Sequence, residues 1–378
     1  MTKRRGQGEG SIYQRERDGK WVAVLDFGWR DGKRVRKTAT AKTRREAADK
    51  LKELQRDLHN RLPVLNARRT LEDFLNQWIE EVVIPTTRPR TVETYRGVVN
   101  THLIPALGKR TLAQLRPQHV QRMVADKAAS GLSARTVEII WSVLYRALKV
   151  AVRWELVATN AAETVTPPRP QKKDVEVFAV DETRKVLHAS EDVRNGVAYV
   201  LALTTGMRRG EVLGLRWSDI DTAAGTLRVS RSLQRIGKVL VVGEPKSDRS
   251  RRTVRLSKLA IKALERHRAS QAVERLAAGP KWRDEGYVIA TAMGGPVEPR
   301  NLLRGWGDLL ASCELAPRAL HVARHSAASL MLSEGVPLKT VQDTLGHSTM
   351  QLTADLYGHL MPGDDQRVAD AMDRALGG

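Results

Sequence analysis

Three prolines within four positions, Pro167, Pro168 and Pro170, followed by Lys172 and Lys173, set the strongest limit on how this chain folds. Proline lacks the amide donor that helix and sheet ladders need, and it pushes the residue before it out of the helical region. Residues 164–174 therefore read as an extended basic linker at which the 378-residue chain divides. Each side is long enough to bury a core of its own. Such a link allows two parts to close around a duplex as a clamp, or serves as a plain spacer.

Upstream of the break two textures follow one another. Strands are expected at residues 11–17, 21–29 and 34–38, separated by Asp18-Gly19 and Asp31-Gly32. Glycine accepts the positive φ that a tight hairpin turn demands. Thr43 caps a helix reaching to about Arg61, with Ala47, Leu51, Leu54 and Leu58 at helical spacing. Residues 1–65 thus read as a small domain of three strands and a helix, whose free face suits a DNA groove or a protein partner. Beyond the polar stretch 66–69 the alternation stops. Helices are expected at 71–79, 91–103, within 112–131 (ended by Gly131) and at 133–155, where Val137, Ile140, Trp141, Leu144, Leu148 and Val152 share a buried face. Residues 70–163 therefore read as an all-α bundle.

Downstream, residues 175–378 read as mainly helical with a small antiparallel sheet, so the whole chain is α+β and multidomain. A helix opens at Asp181 and a strongly apolar one covers 196–204. Strands follow at 226–230, 239–242 and 252–256, the last two closing a hairpin that carries Lys246 to its tip. Further helices cover 258–277 and 298–312. One starting at His321 sets His321, Arg324 and His325 on one side, with Ala327, Leu330 and Met331 toward the core. Helical turns cover 337–345 and 349–357, and an amphipathic tail runs from Asp364 to Leu376.

The net charge of +21 favours a polyanionic partner, since basic surfaces release counterions from nucleic acid. Residues 1–69 alone hold 20 Lys and Arg against 9 Asp and Glu, the densest cationic stretch of the chain. A single cysteine, Cys313, excludes an intramolecular disulfide framework and any cysteine-based metal cluster. No stretch approaches the roughly 18 apolar residues of a membrane span, and no apolar segment follows the basic N-terminus. A cytoplasmic protein is expected. Walker-type glycine loops, zinc spacings and nucleophile-elbow serines are missing from the sequence, so neither cofactor nor metal is expected.

The residues that carry chemistry lie late in the chain. A DNA phosphodiester repels nucleophiles and has a poor leaving oxygen, so cutting it without metal takes a protein nucleophile, cations on the non-bridging oxygens and an acid. Arg208 and Arg324 have the planar, permanent charge that grips two phosphate oxygens at once. Each preorganised donor is worth about 100- to 1,000-fold in rate, which makes His347 a third useful group. Lys246 is placed to protonate the leaving oxygen and His321 to accept or orient the proton of Tyr357, whose phenol has an ordinary pKa of about 10. Singly, each has a plainer reading: Arg208 as an ion-pair partner of Glu211, His325 as a satisfied helix histidine, Lys246 as an ordinary hairpin lysine.

Their order and local sequence resemble the tyrosine recombinase family of the phage-integrase type. The likeness rests on Thr205-Gly206-Met207-Arg208-Arg209-Gly210-Glu211, Pro245-Lys246-Ser247, His321-Val322-Ala323-Arg324-His325, Leu345-Gly346-His347 and Asp355-Leu356-Tyr357-Gly358-His359. It implies that Arg208, Lys246, His321, Arg324, His347 and Tyr357 are the six catalytic positions, with Tyr357 the nucleophile and Glu211 and His325 in support. Val322 stands where relatives often have aspartate, which puts a helix-capping contact in doubt. The resemblance further implies that 70–163 binds core DNA, that 1–65 binds arm sites, and that four protomers act on DNA through a 3′-phosphotyrosine intermediate. An excision factor or a DNA-bending host protein is a possible further partner. Chromosome-dimer resolution, topoisomerase-like relaxation and a silent DNA-binding regulator are the alternatives.

Overall fold

The computed structural model describes residues 10–30, 33–59, 69–171, 176–244, 250–347, 349, 354 and 372–376. The chain divides into two compact units, Met1–Lys172 and Lys173–Gly378, so the break falls in the proline-bearing stretch. No helix among the described residues is long and apolar enough to cross a membrane.

The first unit begins with an antiparallel sheet of β1 (Ser11–Gln14), β2 (Trp21–Arg30) and β3 (Lys33–Ala41), in that order. β1 ends earlier than its sequence suggests, because Arg15 turns to pair with Asp18 at 2.5 Å. β3 runs longer, carrying Thr38 and Thr40 opposite Val24 and Val22. The helix α1 (Arg44–His59) lays Ala47 and Leu51 on Ile12, Trp21, Ala23 and Ala41. Thr43 caps it as expected, its hydroxyl accepting from the Glu46 amide at 3.2 Å.

The helical part of this unit contains α2 (Leu71–Trp78), α3 (Ile84–Thr86), α4 (Pro89–Val98), α5 (Ile104–Leu107), α6 (Pro117–Ala129) and α7 (Ala134–Arg153). π turns at Ile79–Val83 and Val99–Leu103 join α2 to α3 and α4 to α5. Each immediately precedes an Ile-Pro pair. A proline inside a helix clashes with the carbonyl of the preceding turn, and the wider π turn relieves the clash without ending the helix. Phe74, Leu75, Leu103, Ile140, Leu144 and Leu148 fill the core. Trp141 is only half-buried, because its indole N–H reaches out to donate to Ala162 O at 3.1 Å.

The second unit is built around α9 (Val197–Thr205), which is buried almost all round. Packed with it are α8 (Val180–Ala189), α10 (Arg209–Leu213), α11 (Lys258–Ala278), α12 (Pro299–Ser312), α13 (His321–Ser333) and α14 (Leu338–Leu345). Five strands form two small sheets rather than the single one expected. β4 (Ile220–Asp221), β5 (Thr226–Val229) and β8 (Arg252–Arg255) make one, and β6 (Ser232–Ile236) with β7 (Val239–Gly243) the other. The hairpin expected between β7 and β8 is therefore corrected: β7 pairs with β6 around Gly237 (φ 57), and β8 pairs with β5. The segment between β7 and β8 links two sheets.

Candidate active site

Gly206 ends α9 in the left-handed conformation, φ 66 and ψ 21, which glycine tolerates without a Cβ penalty. That reversal puts Arg208 at the N-cap of α10. Its Nη1 donates to Glu211 Oε1 at 2.8 Å and its amide to Glu211 Oε2 at 3.0 Å. Arg208 is thus the ion-pair partner that the plainer reading proposed, yet 31% of its side chain stays exposed while Glu211 is 3% exposed. Arg252 Nη2, from β8, donates to Glu211 Oε2 from the other side at 3.0 Å. Desolvation alone would raise the Glu211 pKa, but Arg252 and Arg208 outweigh it and hold the carboxylate ionised.

Arg324 comes from α13 and is 2% exposed. Its Nη1 donates to Gly206 O at 2.6 Å and its Nη2 to Leu345 O at 2.8 Å. The adjacent carbonyl, Gly346 O, accepts from Arg208 Nη2 at 3.0 Å. Both guanidinium groups therefore meet at the C-terminal end of α14, where unpaired carbonyls and the helix dipole favour cations. Gly346 caps that helix at φ 66, and His347 follows, 6% exposed. The His347 backbone is tied at both ends to Gln342: its amide donates to Gln342 O at 3.1 Å and its carbonyl accepts from Gln342 Nε2 at 3.2 Å.

The histidines are held neutral. Burial, then repulsion from Arg324, Arg208, His325 and Arg252, pulls His347 down to about 3. His321 and His325 stand edge to face with ring centres 4.7 Å apart. Desolvation first, then His325, Arg324 and Arg208, lowers His321 to about 4. His321 is an exposed residue, so solvent screening weakens these effects, and the direction toward a neutral ring at pH 7 is what matters here. His325 shifts the same way, by desolvation and then by Arg324.

Of the residues singled out in the sequence, the structure brings Arg208, Glu211, Arg324 and His347 together around one helix end, with His321 and His325 on the helix that supplies Arg324. Lys246, Tyr357 and residues 364–371 of the tail lie outside the described residues. Along that side of α13, His321 is exposed and His325 half-buried, whereas Arg324 is buried. The core face of α13 is Ala323, Ala327, Ala328 and Leu332, with Leu330 and Met331 half-buried. No side chain caps the start of α13, and Val322 is buried. Arg252 was missed, since nothing in the sequence Ser250-Arg251-Arg252 distinguishes the buried Arg252 from the exposed Arg251.

Two guanidiniums and a neutral imidazole gathered at one helix end, on a mainly helical scaffold, have the chemistry to grip an oxyanion. The chain matches the phage integrase family over residues 176–363 and the N-terminal SAM-like domain of phage integrases over residues 70–127. It is 32% identical over 374 residues to an integrase of Streptomyces ambofaciens, covering 94% of each chain. It is 30% identical over 361 residues to a tyrosine recombinase XerC-like protein of Caldanaerobacter subterraneus subsp. tengcongensis, covering 90% of this chain and 92% of that one. Its fold is similar to that of the Tn1549 transposon integrase in complex with a circular intermediate DNA (TM-score 0.67, 17% identity, 81% of this chain and 99% of the other). It is also similar to the lambda integrase of a tetramer bound to a Holliday junction (TM-score 0.57, 18% identity, 94% and 96%). The chain belongs to the phage integrase family of tyrosine recombinases. It is a site-specific recombinase of the phage or mobile-element type.

Proposed function

We propose that this recombinase cuts and rejoins double-stranded DNA with Tyr357 as nucleophile. Arg208 and Arg324 grip the non-bridging oxygens of the scissile phosphate, and His347 donates to them as a neutral imidazole. His321 takes the phenol proton as Tyr357 Oη bonds to phosphorus. The bond from phosphorus to the 5′-oxygen breaks, and Lys246 gives that oxygen its proton. A 3′-phosphotyrosine and a 5′-hydroxyl result, and a 5′-hydroxyl from the partner duplex reverses the step. One phosphodiester is exchanged for another, so the reaction needs no external energy source. The observation that carries this reading is the meeting of Arg208, Arg324 and His347 at the end of α14.

Two duplexes with two scissile strands each require four nucleophiles, hence four protomers, and the lambda integrase tetramer on a junction supports this. The net charge of +21 suits the DNA backbone. We assign residues 1–65 to arm-site binding, 70–163 to core-site binding, 164–174 to a linker and 175–378 to catalysis with the tail helix. An exchange of equal bonds has no intrinsic direction, so an excision factor or a DNA-bending host protein is the class of partner that would supply one. A DNA substrate supports our assignment of the protein to the cytoplasm, with the nucleoid. The test is exchange between duplexes bearing the two ends of the encoding element and its target: recombinant joints are expected. Relaxation of supercoiled plasmid without joints would instead identify a topoisomerase-like enzyme.

A further inference from the structure

Three consecutive carbonyl oxygens at the end of α14 each accept from a different arginine. Thr344 O takes Arg252 Nε at 2.5 Å, Leu345 O takes Arg324 Nη2 at 2.8 Å and Gly346 O takes Arg208 Nη2 at 3.0 Å. Two of these arginines belong to the phosphate clamp. The third does not reach outward: the Arg252 side chain is 6% exposed and its remaining donors go to Ser250 O at 3.1 Å and Glu211 Oε2 at 3.0 Å. Glu211 is the carboxylate that holds both the amide and the guanidinium of Arg208.

A buried carboxylate needs a buried counter-charge. With Arg252 in place, that demand is met from inside the protein, and the positive charge of Arg208 remains for a ligand. Without it, Arg208 becomes the only arginine among the described residues paired with Glu211 and is drawn back toward it. Arg252 also pins the helix end that carries both other guanidinium contacts and leads into His347.

We propose that Arg252 is a positioning residue for strand cleavage, neutralising Glu211 and fixing the end of α14 so that Arg208 keeps its charge and aim for the scissile phosphate. The proposal rests on the reading of Arg208 as part of the phosphate clamp. It acts on charge at the non-bridging oxygens, so a scissile methylphosphonate, which lacks that charge, should not need Arg252.

The test uses the full chain on nicked suicide DNA carrying either an ordinary phosphate or a methylphosphonate at the cleavage position. Arg252→Met should bind DNA as the wild type does but form the covalent complex about 100-fold more slowly on the ordinary phosphate, the scale of loss expected for a displaced catalytic group. Arg252→Lys should recover part of the rate. On the methylphosphonate the ratio of wild type to variant should fall toward unity. The same ratio on both substrates, or wild-type cleavage of the ordinary phosphate, overturns the proposal. Should Arg252→Met not fold, the ratio for Arg252→Lys on the two substrates decides in the same way. A wild-type protein that forms no covalent complex, or a Tyr357→Phe variant that still does, overturns the underlying reading instead.

Discussion

The helical core of residues 69–171 and the end of α14 solve opposite problems. In the former, Asn160 is the one polar residue among the buried ones described. In the latter, Glu211, Arg324 and His347 are buried together with the side chain of Arg252. Burying apolar surface stabilises a fold by about 25 cal/mol per Å². Burying charges does not, since well-packed apolar residues in their place are often neutral or stabilising. Stability explains the first region but not the second. The charges at α14 are buried at a desolvation cost that apolar packing would avoid, a cost the proposed phosphate clamp would account for.

This contrast can be broken by substitutions on either side. The largest effect should come from Arg208→Ala or Arg324→Ala, each lowering the rate of covalent-complex formation by about 100- to 1,000-fold. Gel-shift binding to the core site should change little; a parallel loss of binding would mean the arginines serve affinity rather than chemistry. Leu144→Ala, in the apolar core, should show the converse. It should lose about 2–5 kcal/mol of stability in thermal or denaturant melts, with the cleavage rate per folded molecule unchanged.

Gly206→Ala should fall between the two regimes. An added Cβ would stand 2.4 Å from Leu345 Cδ2, at a φ of +66 that side chains resist. The left-handed conformation alone costs about 1–2 kcal/mol, and moving Leu345 disturbs a carbonyl that Arg324 uses. Both the melting temperature and the cleavage rate should drop, and a change in only one would separate the turn from the site.

The smallest effect is on pH. His321, His325 and His347 all titrate below their ordinary value of 6.5 when folded. The unfolded chain therefore binds more protons than the folded one as the pH falls from about 6.5 toward 3, at up to about 1.4 kcal/mol per pH unit for the buried His347 and by much less for the solvent-screened His321. Their contribution is intact above pH 6.5 and is lost on acidification. Melting at pH 7.5 and 5.5 should show the second unit losing stability on acidification, by less in His347→Asn; a pH dependence unchanged in that variant would contradict the assignment.

Much of this was legible in the sequence, for local reasons. Thr43 and Ser133 cap helices where they stand, because capping depends on a few neighbouring residues. The arginine and histidine positions are each set by a short turn or a helix start. What was not legible depends on partners far along the chain. β6 has only Leu233 and Ile236 as apolar positions, and it becomes a strand because β7 pairs with it across Gly237. Arg324 reads as one of three basic residues on a helix face until the ends of α9 and α14 supply the carbonyls that draw it inside. Arg252 gains its meaning only from Glu211 and Thr344, 41 and 92 positions away. The π turns before Pro85 and Pro105 escape a rule that ends helices at proline.

The central claim is that the cluster at the end of α14 serves an attack by Tyr357 on DNA. The most direct measurement traps the covalent complex on nicked suicide DNA, digests it and locates the nucleotide-bearing peptide by mass spectrometry. The account predicts an adduct on the peptide containing Tyr357, linked through a 3′-phosphate and lost in Tyr357→Phe. An adduct on any other residue, or one that survives that substitution, would contradict it.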